Sequence, residues 1–174
     1  YAYANGVSLP YTESFVAGGS NDIRAFAART MAPGSTQTYA DPNSTTTQIG
    51  DMKLELNLEW RFNMSKIFAG AIFADMGNIW KIKGDPADPG LFTFGGFYKQ
   101  VAVGTGFGLR ADFEFLIVRL DMSWPLHNPY LPAGNRWWIT ADNTEYNSYF
   151  QKDASGKYID YVNPHGLRFN FGIG

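Results

Sequence analysis

The segment 52–62 (MKLELNLEWRF) limits the possible folds of this chain more than any other segment. Its even-numbered residues are all apolar, and its odd-numbered residues are all polar or charged. Because successive side chains of a strand point to opposite faces, the pattern predicts a β-strand with one apolar and one charged face. A tilted strand needs about 9–11 residues to cross a bilayer, whereas strands average about 5–6 residues. The segment therefore favours a membrane-spanning strand, although a soluble sandwich with one face in water is an alternative.

The composition excludes several classes of protein. The chain has no cysteine and a formal net charge of −2, which indicates neither a disulfide scaffold nor a nucleic-acid-binding surface. No apolar stretch approaches the roughly 18 residues of a transmembrane helix. The aromatic content of 17% and the nineteen glycines, without long helical periodicity, predict an all-β protein.

Four further alternating runs begin near residues 68, 101, 116 and 167, and they give about five strands in total. Five strands cannot close a transmembrane barrel, since the smallest barrels have about eight. We therefore expect the C-terminal part of a larger antiparallel transmembrane β-barrel, or an oligomer. The N-terminal residues read as the middle of a structure, without a signal peptide, so we expect the chain to be a fragment.

The connections between these runs alternate in length. Those near 63–66 and 112–114 are short, whereas those at 84–98 and 125–164 are long. Outer-membrane barrels have short periplasmic turns and long extracellular loops, so the alternating lengths also predict on which side of the membrane each connection lies. It divides the chain into a strand end and loop (1–50), four strands (51–124), a long extracellular loop (125–164) and the last strand (165–174). Aromatic girdles are then expected, with Trp60, Phe62 and Phe113 at the periplasmic side and Trp80 and Trp124 at the outer side.

Residues 11–35 resemble the sixth extracellular loop of the outer-membrane insertase family, which includes BamA, TamA and the two-partner secretion translocators. The matching positions of this loop motif are Phe15, Gly18, Gly19, Ile23, Arg24, Ala25 and Phe26. Residues 73–80 resemble the family's Phe-x-Asp-x-Gly-Asn motif, and residues 50–59 resemble the strand between the two motifs. Residues 9–11, 17–21 and 136–137 look most like the TamA-like branch of the Bacteroidetes.

The chain departs from the family pattern at two places. Ala25 stands where the family usually has glycine, which is explained either by a backbone with negative φ or by a subfamily variant. The chain ends at Gly174, whereas the family's last strand usually ends in an aromatic residue, so we expect a few further residues.

The resemblance implies a 16-strand barrel in the bacterial outer membrane that inserts or exports other outer-membrane proteins. Its partners would be nascent outer-membrane proteins, the lipid bilayer with its lipopolysaccharide, and accessory assembly subunits. In the family the first and last strands pair poorly, and a client strand adds at this lateral seam, which here would include residues 165–174. A passive porin, a two-partner secretion translocator and a soluble adhesin are the alternative functions.

The resemblance also implies that the loop folds back into the barrel lumen and that Arg24 pairs there with carboxylates. Strand parity independently places Glu59 and Asp75 on the inward face. A guanidinium can hold a carboxylate through two parallel hydrogen bonds, which a lysine cannot. For a loop arginine without such a context, a solvated surface charge is the ordinary interpretation.

Gly104, Gly106 and Gly108 lie on the inward face of one predicted strand. They indicate either bends in the strand or a smooth inner wall against which the loop can lie closely, and the sequence supports both readings. Neither a metal-ligand spacing nor a nucleophile elbow is present. We therefore expect no catalytic residue, no metal and no cofactor, and the chain is predicted not to be an enzyme.

Overall fold

The computed structural model describes residues 13–36, 48–140 and 166–173. Five antiparallel strands form a single sheet in which the spatial order equals the order along the chain. The strands are β1 (Met52–Asn63), β2 (Phe68–Trp80), β3 (Ala102–Asp112), β4 (Ile117–His127) and β5 (Arg168–Ile173). A single turn of 3₁₀ helix, Phe97–Lys99, precedes β3. The predicted all-β fold with five antiparallel strands is confirmed for this part of the chain.

The two faces of the sheet differ as the alternation predicts. One face, the apolar face, carries exposed large side chains, with Leu58 58% and Phe169 65% exposed. The register keeps this parity across the sheet, because Leu56 lies opposite Met76, which in turn lies opposite Val103. The other face, the polar face, carries the charged residues that the loop 13–36 covers. Within the described ranges, no helix is long and apolar enough to cross a bilayer.

The strand β4 ends later than the sequence suggested. We expected the long loop to begin at residue 125, but β4 continues to His127, which pairs with Val103. The ladder shifts register between Val103 and Gly104, where Pro125 lies opposite Gly104. A bulge tolerates proline because its missing N–H does not interrupt a regular ladder there. The strand therefore continues through Pro125 to His127.

The position of Trp80 contradicts the prediction of an exposed aromatic girdle at the outer side of the membrane. It is fully buried, although its parity is that of the apolar face. The rings of Phe92 and Phe97, from the connection after β2, lie 5.7 and 6.4 Å from its ring. Its indole Nε1 donates to Oε1 of Gln100 at 2.7 Å. Trp80 therefore anchors the long β2–β3 connection, whereas Trp60 at the other end of the sheet is 67% exposed.

Several predicted features lie outside the described residues. They are the strand end within residues 1–12, most of the long loop between β4 and β5 (residues 141–165), and Gly174. The described part of the last strand, Arg168–Ile173, falls within the predicted range 165–174.

Candidate functional site

The loop 13–36 is packed on the polar face of the sheet. Its two ends are tied by backbone pairing, since Phe15 pairs with Gly50 and the N–H of Gly34 donates to the carbonyl of Ile79 at 2.8 Å. The loop buries apolar side chains against β2, β3 and the segment after β4. This cluster consists of Ala17, Ile23, Ala25, Phe26, Met31, Ala32, Ile79, Ala102 and Tyr130.

The two glycines of the loop motif make a tight turn. Gly18 and Gly19 have φ values of +96° and +116°, a region that side chains with a Cβ rarely adopt. The N–H of Gly18 donates to Oδ2 of Asp22 at 2.8 Å, and that of Gly19 donates to the carbonyl of Phe26 at 2.9 Å. A Cβ at Gly18 would come within 2.3 Å of the carbonyl oxygen of Ala27. The turn therefore requires glycine, and it directs the next residues, including Arg24, onto the sheet.

Arg24 makes a two-pronged contact with Asp75 of β2. Its Nε and Nη2 donate to the two carboxylate oxygens of Asp75, each at 2.8 Å. Its backbone N–H donates to Oδ2 of the same carboxylate at 3.1 Å. The remaining nitrogen, Nη1, donates to Oε2 of Glu59 on β1 at 2.6 Å. The structure therefore brings together the three charged residues that the sequence singled out.

The Arg24 side chain is held in a largely dry environment. The residue is 6% exposed, and its guanidinium lies 3.4 Å above the centre of the Phe73 ring. Burial by itself would lower the pKa of Arg24, but hydrogen bonds from its guanidinium to Asp75 and Glu59 outweigh that effect and raise the pKa. Arg24 is therefore a permanent cation whose charge is neutralised by residues of two adjacent strands.

The charged cluster extends to β3 and β4. Arg110 donates to Oε1 of Glu59 at 2.8 Å. Asp121, fully buried, lies 3.7 Å from Nη1 of Arg24 and 3.1 Å from Nε of Arg119. Neither carboxylate oxygen of Asp121 has a hydrogen-bond partner, so the two nearby cations balance its charge by proximity.

The backbone carbonyl of Arg24 is also bound by the sheet. Ser123 Oγ of β4 and Asn170 Nδ2 of β5 each donate to it at 2.9 Å. Asp121, Ser123 and Asn170 were not identified as site residues from the sequence. Strand parity does put all three on the polar face, but it gives no reason to select them from the other polar residues there.

Asn78 is a further residue whose role the sequence did not reveal, although it lies in the Phe-x-Asp-x-Gly-Asn match. Its amide donates to the carbonyl of Gly34 at 2.6 Å and to that of Gln100 at 2.5 Å. Its Oδ1 accepts from the hydroxyl of Tyr130 at 2.8 Å. Fully buried, Asn78 thus joins three separate connections to the end of β2.

The three glycines of β3 make room for three different neighbours. An added Cβ at Gly104 would lie 2.4 Å from Cβ of Ala25 in the loop, whereas one at Gly106 would lie 2.5 Å from the Phe73 ring. At Gly108 it would lie 2.5 Å from Oδ1 of Asp121. The loop lies closely on Gly104, and the β3–β4 ladder shifts register between Val103 and Gly104.

Ala25 fits this site despite the expected glycine. It is not among the residues with positive φ, so its backbone does not require glycine. Its methyl group is buried and points at Gly104. The departure from the family pattern is thus accommodated by the absence of a side chain on β3.

No metal site is formed among the described residues, because they contain no group of three or more His, Cys, Asp or Glu side chains suitably placed. The carboxylates of Glu59 and Asp75 are instead occupied by guanidinium groups.

A comparison with protein families identifies the superfamily of the chain. Residues 2–174 match the Omp85 superfamily domain, which covers nearly the whole chain. The chain belongs to the Omp85 superfamily. Members of this superfamily act in the insertion or translocation of outer-membrane proteins, and they are not enzymes. A comparison with curated proteins finds no match to this sequence.

The contact between Ala25 and Gly104 leads to a test of loop packing. Gly104→Ala places two methyl groups in one space, so we expect destabilisation by about 1–3 kcal/mol and faster proteolysis of the loop 13–36. The double variant Ala25→Gly with Gly104→Ala removes the overlap and should restore most of the protection. Gly134→Ala, where an added Cβ meets nothing within 4 Å, is the matched control. A double variant as sensitive as the single one would contradict the packing argument.

Proposed function

We propose that this sheet is the C-terminal part of a closed, 16-strand barrel in the bacterial outer membrane, with the apolar face towards lipid. The exposed leucine, phenylalanine and tryptophan side chains of that face support this orientation, since a soluble sheet would cover them. The polar face then lines the lumen, and the loop 13–36 lies inside it.

We further propose that the barrel inserts or translocates client proteins through a lateral seam, one side of which is β5. The single observation that supports this most strongly is the anchoring of the loop by Arg24, Asp75 and Glu59. A passive porin needs an open lumen, whereas this loop fills part of the lumen and uses buried charges to do so. The six described residues of β5 make it the shortest strand, and its outer edge has no neighbour among the described residues. Such an edge can pair with a strand of a client.

The partners proposed for this activity are nascent outer-membrane proteins, the bilayer with its lipopolysaccharide, and accessory assembly subunits. The alternatives are a two-partner secretion translocator and a passive porin. The TamA-like branch of the Bacteroidetes is our proposal within the superfamily.

Reconstitution of the full-length protein in liposomes separates these functions. An insertase should accelerate membrane folding of an added, unfolded outer-membrane protein. A secretion translocator should instead release its substrate on the other side, and a porin should pass small solutes without affecting either process. Passage of small solutes without any effect on client folding or substrate release would reject the proposed function.

The anchoring arginine can be tested directly. Arg24→Ala leaves the buried carboxylate of Asp75 without the guanidinium that binds it, whereas Glu59 keeps Arg61 and Arg110. Breaking a buried pair costs about 3–5 kcal/mol, less where water enters. We expect a large loss in the rate of client assembly and a smaller loss in the free energy of unfolding of the barrel. Arg24→Lys should restore only part of the activity, because lysine cannot make the two parallel hydrogen bonds.

Arg29→Ala is the matched control for Arg24→Ala, since Arg29 is exposed on the same loop. It should assemble clients at the normal rate, as measured by the appearance of folded client in membranes. An Arg24→Ala protein with unchanged client assembly would argue against a functional role of the anchor.

The membrane orientation of the sheet can be tested on adjacent residues of β1. Leu56 is on the apolar face near the middle of the strand, and Asn57 is on the polar face. Leu56→Arg should lower the free energy of unfolding by about 2–4 kcal/mol, whereas Asn57→Arg should cost much less. Folding titrations in lipid vesicles measure both, and equal losses would exclude the barrel orientation.

The sidedness of the barrel follows from the connection lengths. Gly95, exposed in the long β2–β3 connection, should lie outside the cell, and Ser65, exposed in the short β1–β2 turn, should lie in the periplasm. Gly95→Cys should react with a membrane-impermeant maleimide on intact cells, and Ser65→Cys should react only after the outer membrane is opened. Labelling of the Ser65 position on intact cells would invert the topology.

A further inference from the structure

The register of β5 is only partly specified by its hydrophobic pattern. Phe169, Phe171 and Ile173 alternate with Arg168, Asn170 and Gly172. A slip by one residue would move every side chain to the wrong face, but a slip by two residues would preserve the alternation. Only six residue pairs, from Ser123↔Arg168 to Val118↔Ile173, hold β5 to β4 in the described structure. Another interaction is therefore needed to select one register.

Among the described residues of β5, Asn170 is the one whose side chain donates a hydrogen bond to the described loop 13–36. Its Nδ2 lies 2.9 Å from the carbonyl oxygen of Arg24 and 3.4 Å from Oγ of Ser123. In the ladder Asn170 lies opposite Asp121, directly beside the charged cluster. The carbonyl that it binds belongs to the buried arginine whose side chain is fixed on β1 and β2.

We propose that Asn170 fixes the register of β5 through its hydrogen bond to the backbone carbonyl of Arg24. The last strand and the anchored loop are then coupled, because each holds the other through this hydrogen bond. The inference goes beyond the proposed function, since it concerns which strand register exists and does not require insertion or translocation.

The two alternative registers are disfavoured by their chemistry. A slip in one direction places Arg168 opposite Asp121, which already has two guanidinium groups within 4 Å, so a third cation would enter a balanced cluster. The same slip places Asn170 opposite Arg119. In the observed register Gly172 lies opposite Arg119, and a Cβ added to Gly172 would be 3.4 Å from Nε of Arg119. A slip in the other direction places Gly172 opposite Asp121 and moves Asn170 opposite Ser123, whose hydroxyl already donates to the Arg24 carbonyl.

Disulfide trapping can measure the register, because the chain has no cysteine of its own. Leu120 lies opposite Phe171 on the apolar face, away from the charged cluster. Directly opposite residues have Cα atoms about 4.5–5.5 Å apart, within disulfide range, whereas diagonal neighbours are about 7–8 Å apart. Leu120→Cys with Phe171→Cys therefore traps the observed register. Leu120→Cys combined with Phe169→Cys or Ile173→Cys traps the two slipped registers.

The experiment uses the full-length protein in membranes under mild oxidation and compares the yields of the three pairs. With Asn170 present, the Leu120–Phe171 pair should dominate. Asn170→Ala should raise the ratio of slipped to observed cross-links about fivefold, the equilibrium factor that one hydrogen bond is typically worth. An unchanged ratio would overturn the proposal.

Ser123→Ala is the matched control. It removes the other hydrogen bond to the Arg24 carbonyl and a 3.4 Å contact with Asn170, but it leaves the hydrogen bond from Asn170 to that carbonyl in place, so slipped cross-links should rise less than for Asn170→Ala. An equal rise in slipped cross-links for Ser123→Ala and Asn170→Ala would show that loop binding in general, and not Asn170, sets the register. If Asn170→Ala fails to assemble, Asn170→Ser, which keeps a shorter donor, should give an intermediate ratio, and a ratio equal to that with asparagine would overturn the proposal.

Discussion

The placement of one buried guanidinium governs the rest of this structure. Arg24 can remain charged in a nearly dry environment only if carboxylates and hydrogen-bond acceptors meet it there, because an uncompensated buried charge costs several kcal/mol. Asp75 supplies both of its oxygens and Glu59 supplies one. The loop must therefore remain on the sheet, and β1 must keep its register with β2, or the charges lose their partners.

The close approach of loop and sheet depends on where side chains are missing. Gly104 accepts the methyl group of Ala25, and Gly106 accepts the ring of Phe73, on which the Arg24 guanidinium rests. A larger residue at Gly104 would lift the loop away from the carboxylates, and one at Gly106 would meet the Phe73 ring and the backbone carbonyl of Met122. The glycines of β3 thus carry no chemistry of their own, but they set the distance at which the charged groups meet.

Part of this arrangement could be predicted from the sequence, and the limits have physical reasons. Alternation placed Glu59 and Asp75 on one face because parity is a local property of a strand. The contact of Arg24 with them was expected only from the family resemblance, since loop position depends on long-range packing. Trp80 was wrongly predicted to lie in an exposed girdle for the same reason: the aromatic residues that cover it come from a connection without a periodic pattern. Asn170 was missed because its partner is a backbone carbonyl, which leaves no trace in the sequence.

The side chain and the backbone carbonyl of Arg24 bind different strands. Its side chain is bound by β1 and β2, while its carbonyl is bound by Ser123 of β4 and Asn170 of β5. Strand β3 contributes Arg110 to Glu59 and the glycines that admit the loop. Four of the five strands therefore bind Arg24 directly, and β3 is joined to it through Glu59. Since β5 has the fewest ladder partners among the described residues, a displacement of the loop should affect that strand first, at the edge of the sheet that we propose as one side of the seam.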